Sequence, residues 1–361
     1  MKCSVITIHH IHNFGSVFQA YALASFLEAN GYEAEIIDYR PKYYDLGRNK
    51  LKTTVGRMLN LSPFLKRKRK FESFISAHET LSDKRFTELS QLEEYYKSSD
   101  NIFIAGGDQL WNDYHPCGND NAYKLTFTDS KRKIAYGTSM GRDNFSEAEL
   151  EKIAKNVNSF YAIMLREQST VAMLDPYVKT SVEHVIDPVG LIDLKEYERI
   201  AVKPKINEPY AVMYLAESSD LLTGAIEKLS KEMGLKIIHI CGFKKKCYCD
   251  CFAKDVGPEE ILGYILNADF VISASFHATL FSLLFQKQFV TLLPGEQTNA
   301  RIKDVLAYVG LENRIVHSEN ELSRLDMKID YSFATQKIEN LKEKSKTALL
   351  KALSEVTEGT L

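Results

Sequence analysis

Short β-branched and aromatic runs alternate with helical patterns twice along this chain, and that alternation restricts it to parallel-sheet α/β architectures. Residues 4–8 form the first such run. After Gly15, Val17, Ala20, Tyr21, Leu23, Ala24 and Leu27 recur at helical spacing. Gly31 stops that helix, and Glu35-Ile36-Ile37 opens a second strand before Pro41. Strand, helix and strand in this order imply parallel pairing through a right-handed crossover. Residues 42–100 are less regular, with helical pieces around 71–77 and 92–96. Strands are expected again at 101–105, 133–136, 161–165 and 183–186. Ser146 and Glu149 form a capping-box signature ahead of Leu150, Ile153 and Val157.

Pro188, Pro204 and Pro209 bracket a polar connection, after which the alternation resumes. Strands are expected at 210–214, 236–240, 270–273 and 289–293. Helices are expected at 221–233, from Pro258 to Asn267, at 277–285 and at 301–309. A long amphipathic helix closes the chain over 332–356, with Ile338, Leu341, Leu349 and Leu353 on one side. At 361 residues the chain exceeds one compact core. The expectation is two Rossmann-like doubly wound domains facing a cleft: 1–200 with a helical insertion at about 42–100, then 205–330. The helix 332–361 packs back on the body.

Composition narrows the function. A formal net charge of -2 gives no global attraction for a polyanion, so nucleic-acid binding would need a local patch. The opening apolar stretch is too short for a signal-peptide core, and His9 and His10 interrupt it. Residues 268–293 are apolar but carry Asp269, His277, Gln286, Lys287 and Gln288, which a membrane span excludes. A soluble chain is expected. Six cysteines in a long chain without a secretion signal argue against a disulfide framework.

In open α/β sheets, ligands gather beyond the carboxyl ends of strands, where helix N-termini present free N–H groups. Four strand-end turns carry suitable side chains. At Ser273-Ala274-Ser275-Phe276-His277-Ala278-Thr279 an apolar strand runs directly into a helix. Ser275 is placed to cap that helix, leaving other N–H groups for a phosphate or carboxylate. His277 is placed to bond that anion or move a proton near neutral pH; the alternative is a structural histidine. At Gly106-Gly107-Asp108-Gln109, paired glycines permit close backbone approach to a ligand. Asp108 then reads as a base or a hydroxyl-binding carboxylate, or as the cap of a following helix. Arg166 follows a buried strand and suits phosphate or carboxylate, with a salt bridge to Glu167 or another neighbour as the alternative. The fourth turn, His9 to Ser16, suits polar substrate contacts from Asn13 and a histidine such as His12 better than a metal. It lacks the GxGxxG fingerprint, and the chain has no Walker A sequence, so no nucleotide cofactor is expected.

Cys241, Cys247, Cys249 and Cys251 cluster at a spacing unlike a zinc knuckle; a surface loop of reduced thiols is the first reading and metal binding the lesser alternative, so no metal is expected. Lys66-Arg67-Lys68-Arg69-Lys70 reads first as a solvated helical face, with an anionic membrane surface as the second option and nucleic acid third.

Taken in order, several of these stretches resemble the polysaccharide pyruvyl transferase family. The resembling stretches are His12-Asn13-Phe14-Gly15-Ser16 with Gln19-Ala20-Tyr21-Ala22, Ile37-Asp38-Tyr39-Arg40-Pro41 and Gly107-Asp108-Gln109-Leu110-Trp111-Asn112. Ile134-Ala135-Tyr136, Arg166-Glu167, Asp187-Pro188, Gly257-Pro258-Glu259-Glu260, Ser275-Phe276-His277-Ala278-Thr279 and Asn299-Ala300-Arg301-Ile302 continue the series. The resemblance covers nearly the full length. It implies a fold similar to the GT-B glycosyltransferase architecture and transfer of the pyruvyl group of phosphoenolpyruvate onto a sugar of a surface glycan, or of its lipid-linked precursor, as a ketal. It implies no cofactor, since phosphoenolpyruvate is the donor substrate. Capsule or exopolysaccharide synthesis follows, with a cytoplasmic location and peripheral contact at the inner face of the membrane as an option.

The resemblance assigns donor contacts to Arg166 and His277 and a carboxylate role to Asp108. Ser275, Thr279, Gly106, Gly107, Gln109, Asn13 and His12 then become substrate contacts. Some members carry Arg directly before the histidine, where this chain has Phe276. That donor contact is absent or supplied elsewhere, with Arg301 as the candidate. Two rivals stand beside this reading: a nucleotide-sugar glycosyltransferase on the same architecture, and a non-catalytic sugar- or anion-binding protein.

Overall fold

The computed structural model describes residues 1–46, 61–215, 223–240, 248–293 and 300–359. The chain divides into two compact units. The first comprises Met1–Lys50, Ile75–Ile192 and Glu339–Leu361; the second comprises Leu51–Phe74 and Asp193–Ile338.

The first unit holds a six-stranded, all-parallel sheet: β1 (Lys2–Ile6), β2 (Glu33–Ile36), β3 (Ile102–Gly106), β4 (Lys133–Thr138), β5 (Ala162–Leu165) and β6 (Val182–His184). Their spatial order is β2-β1-β3-β4-β5-β6. Strands covered on both faces read as continuous apolar runs, as in Ile102–Gly106, where every residue is buried. The helix Phe14–Ala29 follows β1 and is buried nearly all round, so its apolar residues do not gather in a single stripe. Asn13 caps it by accepting from Ser16 N–H at 3.3 Å. Gly31, at φ +83°, ends it: Gly31 N–H donates to Glu28 O and Tyr32 N–H to Leu27 O. The core gathers Phe103, Trp111, Phe127, Ile163 and Leu165. Residues 339–361 join this unit through the helix Ser332–Glu358. Ile186 N–H donates to Ser345 Oγ at 2.8 Å, and Tyr161 OH donates to Glu355 at 2.9 Å.

The second unit repeats the design with β7 (Tyr210–Tyr214), β8 (Lys236–His239), β9 (Cys251–Phe252), β10 (Phe270–Ser273), β11 (Gln288–Leu292) and β12 (Ile315–Val316). Their order is β12-β11-β10-β7-β8-β9, again all parallel. Its core includes Met213, Ile226, Phe270, Ile272 and Val290. The helix Leu61–His78 carries the basic run, of which residues 61–74 belong here. Lys66, Lys68 and Arg69 are exposed, while Lys70 bonds both oxygens of Glu260 at 2.7 Å.

The polar connection expected before residue 209 contains a helix, Leu194–Ile200, capped by Asp193 and burying only Tyr197 and Ile200. Cys3, Cys117, Cys249 and Cys251 are free thiols; Cys241 and Cys247 lie outside the described residues. No helix among the described residues is long and apolar enough to cross a membrane.

Candidate functional site

In the first sheet β2 lies on one side of β1 and β3 on the other, so the chain reverses its winding between β1 and β3. A crevice opens at such a reversal beyond the carboxyl ends of the strands. The turns after β1 and β3 flank it. The turn after β3 is held in an uncommon backbone. Gly107 has φ +122° and Gln109 has φ +56°. Two bonds to the loop after β4 fix it, Ser139 N–H to Gly107 O and Trp111 N–H to Ser139 O, both at 3.2 Å. Trp111 is fully buried and donates its indole N–H to Tyr123 O at 3.0 Å. No helix follows Gly107, so Asp108 caps none, and that sequence alternative is set aside.

Asp108 instead meets Arg166. Arg166 Nη2 donates to Asp108 Oδ1 at 2.6 Å, Nη1 to Asp187 Oδ2 at 2.5 Å and Nε to Glu167 Oε1 at 2.8 Å. The guanidinium side chain is only 1% exposed. Burial opposes its charge, but the Asp108, Glu167 and Asp187 carboxylates together hold it firmly protonated. Glu167 also accepts from Met140 N–H, and Asp187 accepts from Val189 N–H at the start of a short 3-10 turn. Asp108 is the most exposed of the three, at 16%. The ion pair that the sequence left as an alternative for Arg166 is therefore present, in triplicate. Its partners Asp108 and Asp187 lie 58 and 21 residues away, beyond the reach of spacing arguments.

The paired glycines make room for protein. A Cβ on Gly107 would lie 2.5 Å from Gln19 Nε2, and one on Gly106 would lie 2.8 Å from Leu23. The helix after β1 therefore packs against the Cα of both glycines. Gln109 accepts from Asn112 Nδ2 at 2.6 Å. Asn13 is exposed and uses its side-chain oxygen as the helix cap; His12 is half-buried.

One constellation at the same sheet edge was missed as a group. Asp38, just past β2, is buried and accepts from His9 Nε2 at 3.1 Å, Arg40 Nε at 2.5 Å and Arg85 Nε at 2.9 Å. Despite burial, which raises it, these bonds hold the Asp38 carboxyl far below the usual range. Only the acidic and basic residues of Asp38-Tyr39-Arg40 hinted at it in sequence; Arg85 is 47 residues distant.

In the second sheet the winding reverses between β7 and β10, and the turn after β10 begins the helix Phe276–Leu284. Ser275 stands at the N-cap position but makes no side-chain cap bond, contrary to expectation. Ser273 hydroxyl takes over locally, accepting from Ser275 N–H at 2.9 Å and donating to Ser275 O. Phe276 and His277 are buried and their rings meet edge to face. Arg301 places its guanidinium 5.9 Å from the Phe276 ring centroid. Thr279 is fully buried with its hydroxyl 2.9 Å from that of Thr291, so it ties the helix to β11 and does not face solvent.

The structure thus groups Asp108, Arg166, Gly106, Gly107, Gln109, His12 and Asn13 in the first unit. It groups Ser275, Phe276, His277, Thr279 and Arg301 in the second. A cavity of about 250 Å³ in the second unit, lined by Lys70, Lys203, Lys205, Glu260 and Tyr264, contains none of them. Among the described residues, no three His, Cys, Asp or Glu side chains are arranged to hold a metal ion.

Solved structures share this fold at low identity. A putative UDP-N-acetylglucosamine 2-epimerase from Listeria monocytogenes is 8% identical with a TM-score of 0.61, covering 99% of this chain and 96% of its own. The Methanocaldococcus jannaschii UDP-GlcNAc 2-epimerase, in complex with UDP-GlcNAc and UDP, is 12% identical with a TM-score of 0.55, covering 98% and 99%. The Thermobaculum terrenum O-GlcNAc transferase is 9% identical with a TM-score of 0.51; the match covers 99% of this chain but 66% of that one. Two Rossmann-like domains of the kind found in GT-B glycosyltransferases and these epimerases are the shared architecture. No curated protein matches at a significant level. The family model for polysaccharide pyruvyl transferase matches residues 13–295, most of the length, and the chain belongs to that family.

Proposed function

We propose that this protein transfers the pyruvyl group of phosphoenolpyruvate onto a sugar as a cyclic ketal. The family match over residues 13–295 carries the reading. Ketal formation needs a proton on the enol carbon, which creates an oxocarbenium centre, then attack by a sugar hydroxyl. The carbon–oxygen bond to phosphate breaks, and a second hydroxyl closes the ring. Of the two hydroxyl protons released, one restores the acid and the other leaves with the phosphate.

His277 serves as proton donor or phosphate ligand, and Asp108 as the base that accepts a hydroxyl proton. Arg166 acts as a positioning residue. Its three carboxylate bonds support fixing Asp108 more than holding the donor. Arg301, over Phe276, is the candidate for the cationic donor contact that some members place directly before the histidine.

The exposed Lys66, Lys68 and Arg69 suit an anionic membrane surface, which fits a lipid-linked acceptor at its cytoplasmic face. A sugar-nucleotide glycosyltransferase is the rival reading, supported by the likeness to the Thermobaculum terrenum O-GlcNAc transferase and to an epimerase complexed with UDP-GlcNAc. Mass spectrometry of glycan, lipid-linked and nucleotide-sugar acceptors incubated with phosphoenolpyruvate separates the two. Gain of a pyruvyl unit with release of phosphate is expected. Gain of a hexose from a sugar nucleotide, with no pyruvyl gain on any acceptor, overturns the proposal.

A further inference from the structure

The proposed chemistry leaves the Asp38 constellation without a task, although it lies at the carboxyl edge of the first sheet. We infer that Arg40 and Arg85, oriented by Asp38, clasp a phosphate ester carried by the sugar acceptor.

The local chain builds this clasp from both sides. Ile37 N–H bonds Val5 O, continuing the β2 edge beyond Ile36. Residues 80–86 run alongside: Ile36 N–H donates to Thr80 O, Asp38 N–H to Ser82 Oγ, and Arg40 N–H to Phe86 O. Arg85 is thereby delivered to the carboxylate that already holds Arg40. The two guanidinium groups take separate oxygens of Asp38, and each does so through Nε alone. Their terminal nitrogens make no other hydrogen bond among the described residues, and the side chains are 32% and 59% exposed. Two forked donors fixed at their inner edge and open at their outer edge match the several oxygens of a phosphate or diphosphate.

The charge balance agrees. Asp38 cancels one of the two arginines, leaving an excess positive charge. Glu79 is buried near Arg40 and Asp38 with neither carboxyl oxygen hydrogen-bonded among the described residues, and burial pushes its pKa well up, towards the neutral form. His10, also beside Arg40, has its pKa lowered to about 3, chiefly by burial.

Assignment to the acceptor rests on the reading above. The donor's phosphate must leave after transfer, and a two-arginine clasp would retain it. A phosphate that stays on the acceptor gains from being held throughout.

Calorimetric titration of the full chain with a sugar 1-phosphate, a sugar nucleotide, inorganic phosphate and phosphoenolpyruvate, each alone, tests the inference without reference to turnover. Arg40→Gln and Arg85→Gln should each weaken the sugar phosphate or sugar nucleotide at least tenfold while leaving phosphoenolpyruvate binding unchanged. Arg85 is the more exposed, so its variant decides the matter if Arg40→Gln fails to fold. Unchanged sugar-phosphate affinity in a folded Arg85→Gln variant overturns the clasp. Binding of inorganic phosphate only, or loss of phosphoenolpyruvate affinity instead, overturns the acceptor assignment. Ketal transfer failing while the arginine-dependent binding persists would refute the activity and leave the clasp standing.

Discussion

Arg166 holds Asp108 at 2.6 Å and is itself sealed between Glu167 and Asp187, so the base proposed for the reaction is fixed by a cation that no solvent reaches. Removing that cation strands three carboxylates in a low-dielectric setting. Arg166→Ala should therefore destabilise the fold by about 3–5 kcal/mol in urea denaturation. Arg166→Lys keeps the charge, but its three donors radiate from one nitrogen and do not reproduce the planar fork that reaches three separated carboxylates, so its stability should fall between wild type and the alanine variant. A fully stable alanine variant would mean that the carboxylates are not jointly ionised around Arg166.

Asp108→Asn removes the base without removing volume, and its partial exposure limits the cost to folding. The expected result is a loss of kcat of about 100-fold or more at nearly constant melting temperature. His277→Ala should lower pyruvylation at least tenfold, roughly 1.4 kcal/mol in the barrier. Near-normal turnover in both would remove these residues from the chemistry.

Gly107 cannot readily be replaced. Its φ of +122° disfavours any side chain, and an added Cβ would sit 2.5 Å from Gln19 Nε2. Gly107→Ala should cost about 2–3 kcal/mol. Adding Gln19→Ala relieves the contact but not the backbone strain, so only part of the loss should return. Complete recovery in the double variant would show that φ is immaterial here.

These residues also show where sequence reading reached and where it stopped. Buried strands such as Phe270–Ser273 and the Pro258–Asn267 helix were legible because apolar runs and a proline at the first turn are local signals. The Ser146–Glu149 capping box was legible for the same reason. The Leu194–Ile200 helix buries too few side chains to show a period, and the two-residue strands β9 and β12 are shorter than one alternation. Strand-end turns could be found, but not what their side chains grip. The partners of Asp108 and of Asp38 come from distant strands and loops, and only the fold brings them together.

Acid should weaken the first unit at higher pH than carboxylate protonation alone would predict. Burial lowers the pKa of His184 from 6.5 to about 4, so the folded state favours the neutral ring. Above the unfolded value the two states bind protons equally, and its contribution is intact. As pH falls from 6.5 towards 4 the unfolded chain takes up a proton that the folded chain refuses, and stability declines by about 2 kcal/mol after discounting for partial exposure. His10 acts in the same direction. His184→Gln should flatten the slope of unfolding free energy between pH 6.5 and 4. An unchanged slope would place the acid sensitivity elsewhere.

Thr279 separates a structural hydroxyl from a substrate contact. Its Oγ1 lies 2.9 Å from Thr291 Oγ1 in a fully buried pair between the Phe276–Leu284 helix and β11. Thr279→Val preserves shape but leaves the Thr291 hydroxyl without this partner, a loss of about 1–2 kcal/mol. Replacing both by valine removes both polar groups together and should recover most of that loss. Neither change should alter KM for phosphoenolpyruvate beyond about twofold, since the pair touches no solvent and an effect that small is under 0.5 kcal/mol. A tenfold rise in KM for Thr279→Val, with stability unchanged, would return Thr279 to the substrate contacts that the sequence pattern suggested.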